Sequence, residues 1–197
     1  FNKNMIREEL EVKYGIKSPY ILHVGHYLPR KNTVTLLKAY KKLKRRGIDE
    51  KLVIVGIGVW QHDKVLKTVK ELALEDDVKL LGYVPEEDLP KLYNVAKLFA
   101  FPSLHEAFGL VILEAMACGC PVITSNIFSM PEIAGDAALF INPYDENDLM
   151  ERIYHFLTNS RVQETLRMKG LKRASLFSWE RCAQETLQVY EEVLNGL

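Results

Sequence analysis

The 197-residue sequence predicts an α/β domain: a doubly wound parallel sheet of about six strands, covered by helices on both faces and closed by C-terminal helices. Three observations lead there. Short apolar runs alternate with helix-length amphipathic segments between residues 20 and 141. Those runs are apolar throughout rather than at every second position, the pattern of strands buried on both faces. Beyond residue 141 the strand signals stop and three helical patterns follow one another.

In chain order, residues 4–14 read as a helix that ends at Gly15. Residues 20–25 form the first strand and 32–46 its helix. The unit repeats at 51–56 with 61–74, and again at 78–82 with 86–95. Residues 97–101 lead into 109–119, a helix whose only polar side chain is Glu114. Residues 121–124 and 138–141 supply the last strands, and 145–157, 161–176 and 178–194 the final helices, with Ser178 as an N-cap. Crossovers between parallel strands should be right-handed.

The length fits one domain over 1–197. Apolar content is 48%, charged content 26% and formal net charge zero, so no global signal points to nucleic acid. No apolar run reaches the roughly 20 residues that span a bilayer. The chain opens Phe1-Asn2-Lys3-Asn4, with no signal peptide and no initiator Met, as an excised piece of something longer would. Cys118, Cys120 and Cys182 form no disulfide framework, which points to a reducing, cytoplasmic setting. No Asp-x-Asp motif or His/Asp/Glu cluster occurs, so no divalent metal is expected. The basic run Lys38, Lys41, Lys42, Lys44, Arg45, Arg46 reads as a solvated helix face, with peripheral membrane contact at the inner face as the less favoured role.

Ligands on such sheets bind beyond the carboxyl ends of the strands. Three loops there carry candidate chemistry. In Gly25-His26-Tyr27-Leu28-Pro29-Arg30-Lys31-Asn32, two adjacent cations precede a helix start for which Asn32 is the expected cap. This is a diphosphate clamp or an exposed basic turn, in even balance. Gly56-Ile57-Gly58-Val59-Trp60-Gln61, with Asp76 further on, mimics a dinucleotide fingerprint but lacks its third glycine. The favoured reading is a tight turn in which glycine permits close backbone approach. The third loop carries Glu106 and runs through Phe108 and Gly109 into the helix bearing Glu114. A carboxylate on a helix apolar all round should be buried, and burial without a hydrogen-bond partner is costly. A ligand's hydroxyls are the expected partner. Glu114 lies about 7.5 Å along the axis from Gly109, so a diphosphate at the helix start would set a ribose near Glu114. Glu106 could otherwise be a solvated loop residue. Glycoside hydrolysis by the two carboxylates is disfavoured, because nothing sets them across a cleft. His23 reads as a satisfied core residue, while His26 and His105 lie at the ligand edge.

These residues closely resemble the carboxyl-terminal, donor-binding domain of retaining glycosyltransferases of the GT-B fold, family 4 type. Glu106 and Glu114 stand as that family's Glu-x7-Glu pair, and the surrounding signature runs to Ile123. The Gly25…Arg30-Lys31-Asn32 loop matches its phosphate loop, and Gly82-Tyr83-Val84 its Gly-x-Val turn. The resemblance implies the Rossmann-like half of a GT-B enzyme and a nucleotide-sugar donor, UDP- or GDP-linked, with no permanently bound cofactor. Lys31 and Arg30, with the Gly25-His26 turn, would hold the diphosphate. Glu114 would accept from the ribose. Glu106 and the Phe108-Gly109-Leu110 backbone would contact the sugar, and the backbone at Tyr83 and Val84 would meet the base. Where the family often carries Arg after the first glycine, this chain has His26, so the resemblance leaves open how His26, Arg30 and Lys31 divide the charge.

The implied reaction moves a hexose to a glycan or lipid-linked acceptor with retention at the anomeric carbon, the cations standing in for a metal. An acceptor-binding N-terminal domain would be a partner, with residues 1–18 as the link from it and 178–197 as the helix crossing back. The fragment alone would then be inactive. The alternatives are half of a sugar-nucleotide epimerase, a non-catalytic dinucleotide module built on Gly56 and Gly58, and a purely structural half-domain.

Overall fold

Six strands, β1 (Tyr20–Val24), β2 (Lys51–Val55), β3 (Val78–Gly82), β4 (Leu98–Phe101), β5 (Val122–Ser125) and β6 (Ala138–Ile141), pair in the order β3-β2-β1-β4-β5-β6. All five pairings are parallel. The computed structural model describes residues 2–17, 19–56 and 62–196. The chain winds outward from β1 to β3, returns to β4 beside β1, and winds the other way. The β1–β4 pair therefore marks the topological switch point, the edge at which ligands of such sheets bind.

The helices are α1 (Lys3–Tyr14), α2 (Thr33–Arg45), α3 (His62–Glu71), α4 (Leu89–Val95), α5 (Leu110–Ala117), α6 (Met130–Ala134), α7 (Glu146–Leu157), α8 (Ser160–Ala174) and α9 (Trp179–Leu194). Alternate strand residues enter opposite layers, because successive side chains point to opposite faces. Tyr20, Leu22, Val24, Phe99, Phe101 and Val122 share one core with residues of α1, α4, α5 and α6. Ile21, Leu52, Ile54, Leu98 and Ala100 share the other with α2, α3 and α7. Burial on both faces is why these strands are largely apolar, with His23, Thr124 and Ser125 as buried polar exceptions.

Three glycines end the first three strands. Gly25 N donates to Val55 O at 2.8 Å, and Gly56 N to Gly82 O at 2.9 Å. A Cβ on Gly56 would lie 2.0 Å from Gly25 O, so only glycine lets the ends of β1 and β2 approach. Close approach thus accounts for Gly56. Gly58 and Gln61, the rest of the dinucleotide pattern, lie outside the described residues.

The helix expected over 4–14 forms as α1, which buries Ile6 and Leu10 against the domain, while Lys13 Nζ meets Asp88 Oδ2 at 2.6 Å. Several expectations need correction. The segment 86–95 begins as a 3-10 turn at Glu86–Asp88, because Pro90 falls in the first helical turn. The helix α6 is additional; five residues are too few to display a 3.6-residue period. Ser178 does cap α9, accepting from Arg181 N at 3.1 Å. However, α9 has no buried residue, and its apolar side chains Trp179, Leu187, Tyr190 and Val193 are all exposed.

Candidate functional site

The loop from β1 to α2 turns through the 3-10 segment Pro29–Lys31. Pro29 fixes the first position of that turn, which sends Arg30 and Lys31 to different environments. Arg30 stays half-exposed while Lys31 is buried. Lys31's methylenes lie over Gly25, where a Cβ would sit 3.3 Å from Lys31 Cδ. Gly25 thus makes room for the lysine stem. The ammonium stands 4.8 Å from the centre of the Phe101 ring, at a distance where cation–π attraction operates.

The loop after β4 lies directly alongside. Leu104 N donates to Arg30 O at 2.6 Å. Lys31 Nζ donates to Glu106 Oε1 at 2.7 Å, and Ser103 Oγ to the same oxygen at 2.6 Å. Arg30 Nη1 lies 3.4 Å from Glu106 Oε2. Glu106 is 9% exposed, so it is a buried carboxylate shared by two cations and a hydroxyl rather than a solvated loop residue. Its backbone is also held: Ser129 Oγ lies 2.9 Å from both Glu106 O and Phe108 O. Asn32 was expected to cap α2, but it adopts the left-handed conformation with φ of 59° and its side chain makes no cap bond. Instead its amide donates to Pro102 O at 3.1 Å and Pro143 O at 2.8 Å. It ties three loops at the switch point.

Gly109 takes φ of 101°, a left-handed value open to glycine. No side chain caps α5, whose first amides lie at the positive end of the helix dipole. The expectation of a helix buried on every side is overturned. Ile112, Ala115 and Met116 are buried, whereas Leu110, Glu114 and Ala117 form an exposed stripe. Apolar composition did not bury that stripe, because the sheet and α8 cover only the inward side of α5. Glu114 is thus not an orphaned interior charge. It has a protein partner, Tyr93 Oη, which donates to its Oε2 at 3.1 Å. Tyr93 is itself buried, and burial first and the Glu114 charge second push its hydroxyl pKa well up. Glu114 keeps an exposed carboxylate with one oxygen oriented from behind.

The structure therefore brings Gly25, Arg30, Lys31 and Glu106 into one cluster, and Gly109 starts the helix three residues beyond Glu106. Glu114 belongs to a separate pair with Tyr93. Tyr83, Phe108 and Leu110 are exposed, Val84 is buried and His26 is exposed. Ser103, Ser129 and Tyr93 were not foreseen, since isolated serines and a core tyrosine carry no spacing signal. His23 is a core residue as expected. Its Nδ1–H donates to Ala100 O at 2.9 Å and its Nε2 accepts from Thr33 Oγ1 at 3.3 Å. Burial lowers its pKa to about 4. Of the six cations in the basic run, three form ion pairs within the domain: Lys42 with Glu146, Lys44 with Asp77 and Arg46 with Glu151. Among the described residues no helix is long and apolar enough to cross a membrane, and no cluster of three His, Cys, Asp or Glu could hold a metal.

A 3-2-1-4-5-6 parallel sheet with this cluster at its switch point is Rossmann-like, and its structural neighbours are GT-B glycosyltransferases. The family described as "Glycosyl transferases group 1" matches residues 6–173, and the chain belongs to that family. It is 40% identical over 173 residues to the O-antigen chain mannosyltransferase B of Escherichia coli, covering 87% of this chain and 45% of the relative. It is 31% identical over 196 residues to the mannosylfructose-phosphate synthase of Agrobacterium fabrum, covering 94% of this chain and 43% of that enzyme. The chain thus spans less than half the length of these relatives. Among solved structures, sucrose-phosphate synthase of Thermosynechococcus elongatus superposes with a TM-score of 0.82 at 29% identity, over 96% of this chain and 49% of that one. Anabaena HepE, solved with UDP and glucose, shares the fold with a TM-score of 0.84 at 22% identity, over 97% and 55%.

Proposed function

We propose that this domain binds the diphosphate of a nucleotide-sugar and supports transfer of its hexose, with retention, to a glycan or lipid-linked acceptor. The observation that carries the reading is the Arg30–Lys31–Glu106 cluster at the switch point, beside the uncapped start of α5. As the bond from the anomeric carbon to the phosphate oxygen lengthens, negative charge grows on the leaving diphosphate. Lys31, Arg30 and the α5 amides are preorganised to receive it. Glu106 orients sugar hydroxyls and offsets charge on the ring, without acting as nucleophile. Glu114, fixed by Tyr93, accepts from the ribose, and the backbone near Tyr83 and Val84 faces the base. The cations serve in place of a metal, so transfer should persist in a chelator.

The mannosyltransferases among the relatives favour mannose as the hexose. The less-than-half coverage of those relatives supports an acceptor-binding partner domain N-terminal to this one. The exposed apolar stripe of α9 is the surface that would cross onto it. Alone, this domain would bind donor without transferring sugar. Three free cysteines, two of them accessible at least in part, fit a reducing cytoplasmic compartment. Contact with a membrane surface is not assigned to the basic run of α2, half of whose cations are paired within the domain. A thermal-shift screen of UDP- and GDP-sugars tests the reading: the cognate donor should raise the midpoint, and a flat response to all would refute it.

A further inference from the structure

Phe128, in the loop between β5 and α6, has φ of 56°. A bulky side chain enters that left-handed region only at a cost. The cost is not offset by core packing, for Phe128 is 59% exposed. Its ring packs edge-on against His105, with centroids 4.5 Å apart and planes at 60°. His105 immediately precedes Glu106, and its carbonyl lies 3.4 Å from Arg30 Nη1. Ser129, next in sequence, bonds the carbonyls of Glu106 and Phe108. The strained residue is therefore stapled to the loop that carries the cluster, and it holds an aromatic ring at the rim of that cluster.

We infer that Phe128 and His105 form an aromatic ledge for the C–H face of the donor's pyranose ring. A pyranose is amphipathic: axial C–H groups line part of its faces, while hydroxyls project from its edge. The ledge takes the first, and the Glu106 carboxylate beside it accepts from the second. Backbone strain retained without packing gain is a mark of a functional position. The inference rests on the nucleotide-sugar reading above and adds the residue that discriminates donor from bare nucleotide.

The test is calorimetry on this chain with GDP and GDP-mannose, and with UDP and UDP-glucose, in wild type and three variants. F128G removes both ring and strain, F128A removes the ring alone, and F128W restores an aromatic face. The preference for nucleotide-sugar over nucleoside diphosphate should fall about fivefold in F128G and F128A and recover in F128W, the size of one aromatic contact. Affinity for the nucleoside diphosphate itself should not change. F128G should melt no lower than wild type and up to about 2–4 °C higher, because glycine relieves the φ. An unchanged preference in F128G and F128A, or an equal loss of nucleoside diphosphate affinity, overturns the ledge. If wild type binds no nucleotide at all, the donor-binding reading fails and the ledge with it. Nucleoside diphosphate binding with no loss of sugar preference in the variants refutes the ledge alone.

Discussion

At the scale of the residue, Glu106 is the counter-ion of both cations in the first loop. Lys31 and Arg30 already meet its carboxylate at 2.7 and 3.4 Å. A diphosphate arriving at those cations must share them with Glu106. Glu106→Gln should therefore tighten nucleoside diphosphate binding by about fivefold, the size of a modest ion pair, while lowering transfer by the two-domain enzyme. Weaker binding in a titration of that variant would mean the carboxylate shapes the loop instead of competing. Tyr93→Phe should leave the fold intact and cost about 1 kcal/mol, since it deletes one hydrogen bond, that to Glu114. Denaturant unfolding measures that loss. His23 gives a pH signature. Its folded pKa, about 4, lies below the ordinary 6.5 because burial disfavours the charged ring. The unfolded chain takes up the proton first as pH falls. The neutral ring's contribution is thus complete above about 6.5 and is lost progressively toward about 4. A urea-midpoint profile should slope down across that window, and His23→Gln should flatten it. Asp88, held to about 2 chiefly by Lys13, acts only in a lower window.

At the scale of the element, the junction of β1 and β2 depends on a close backbone approach at Gly56. Gly56→Ala would drive a methyl into Gly25 O, so the variant should lose about 3 kcal/mol or more, read as a fall in melting midpoint. The same junction shows what was legible. Continuous apolar strands encode burial on both faces, and the order of strand and helix then leaves few topologies. Arg30, Lys31 and Glu106 were legible as candidates because charged residues in strand–helix loops fall at the ligand edge. Their mutual pairing was not, since it depends on Ser103, Asn32 and a 3-10 turn that no spacing announces. The exposure of Glu114 was not legible either. An apolar helix sequence fixes which side chains prefer burial, but the neighbouring elements decide which of them obtain it. Around α5 they cover Ile112, Ala115 and Met116 and leave Leu110 and Glu114 open.

At the scale of the molecule, α9 is the one long helix among the described residues with no buried side chain. An isolated 16-residue helix is marginal in water, and its exposed Trp179, Leu187, Tyr190 and Val193 form one apolar side. Removing 178–197 should shift the melting midpoint by less than about 2 °C, within the range expected of a small stability change. The same removal from the two-domain enzyme should abolish transfer, if that side seats the partner half. The cations at the switch point are the proposed diphosphate site. Its most direct measurement is isothermal titration of GDP and UDP into this chain and into Lys31→Ala. At least one nucleotide should bind the wild type saturably, with affinity about 10- to 100-fold weaker in the variant, the worth of one charge-assisted bond. Equal binding by both proteins, or none by the wild type, would contradict it.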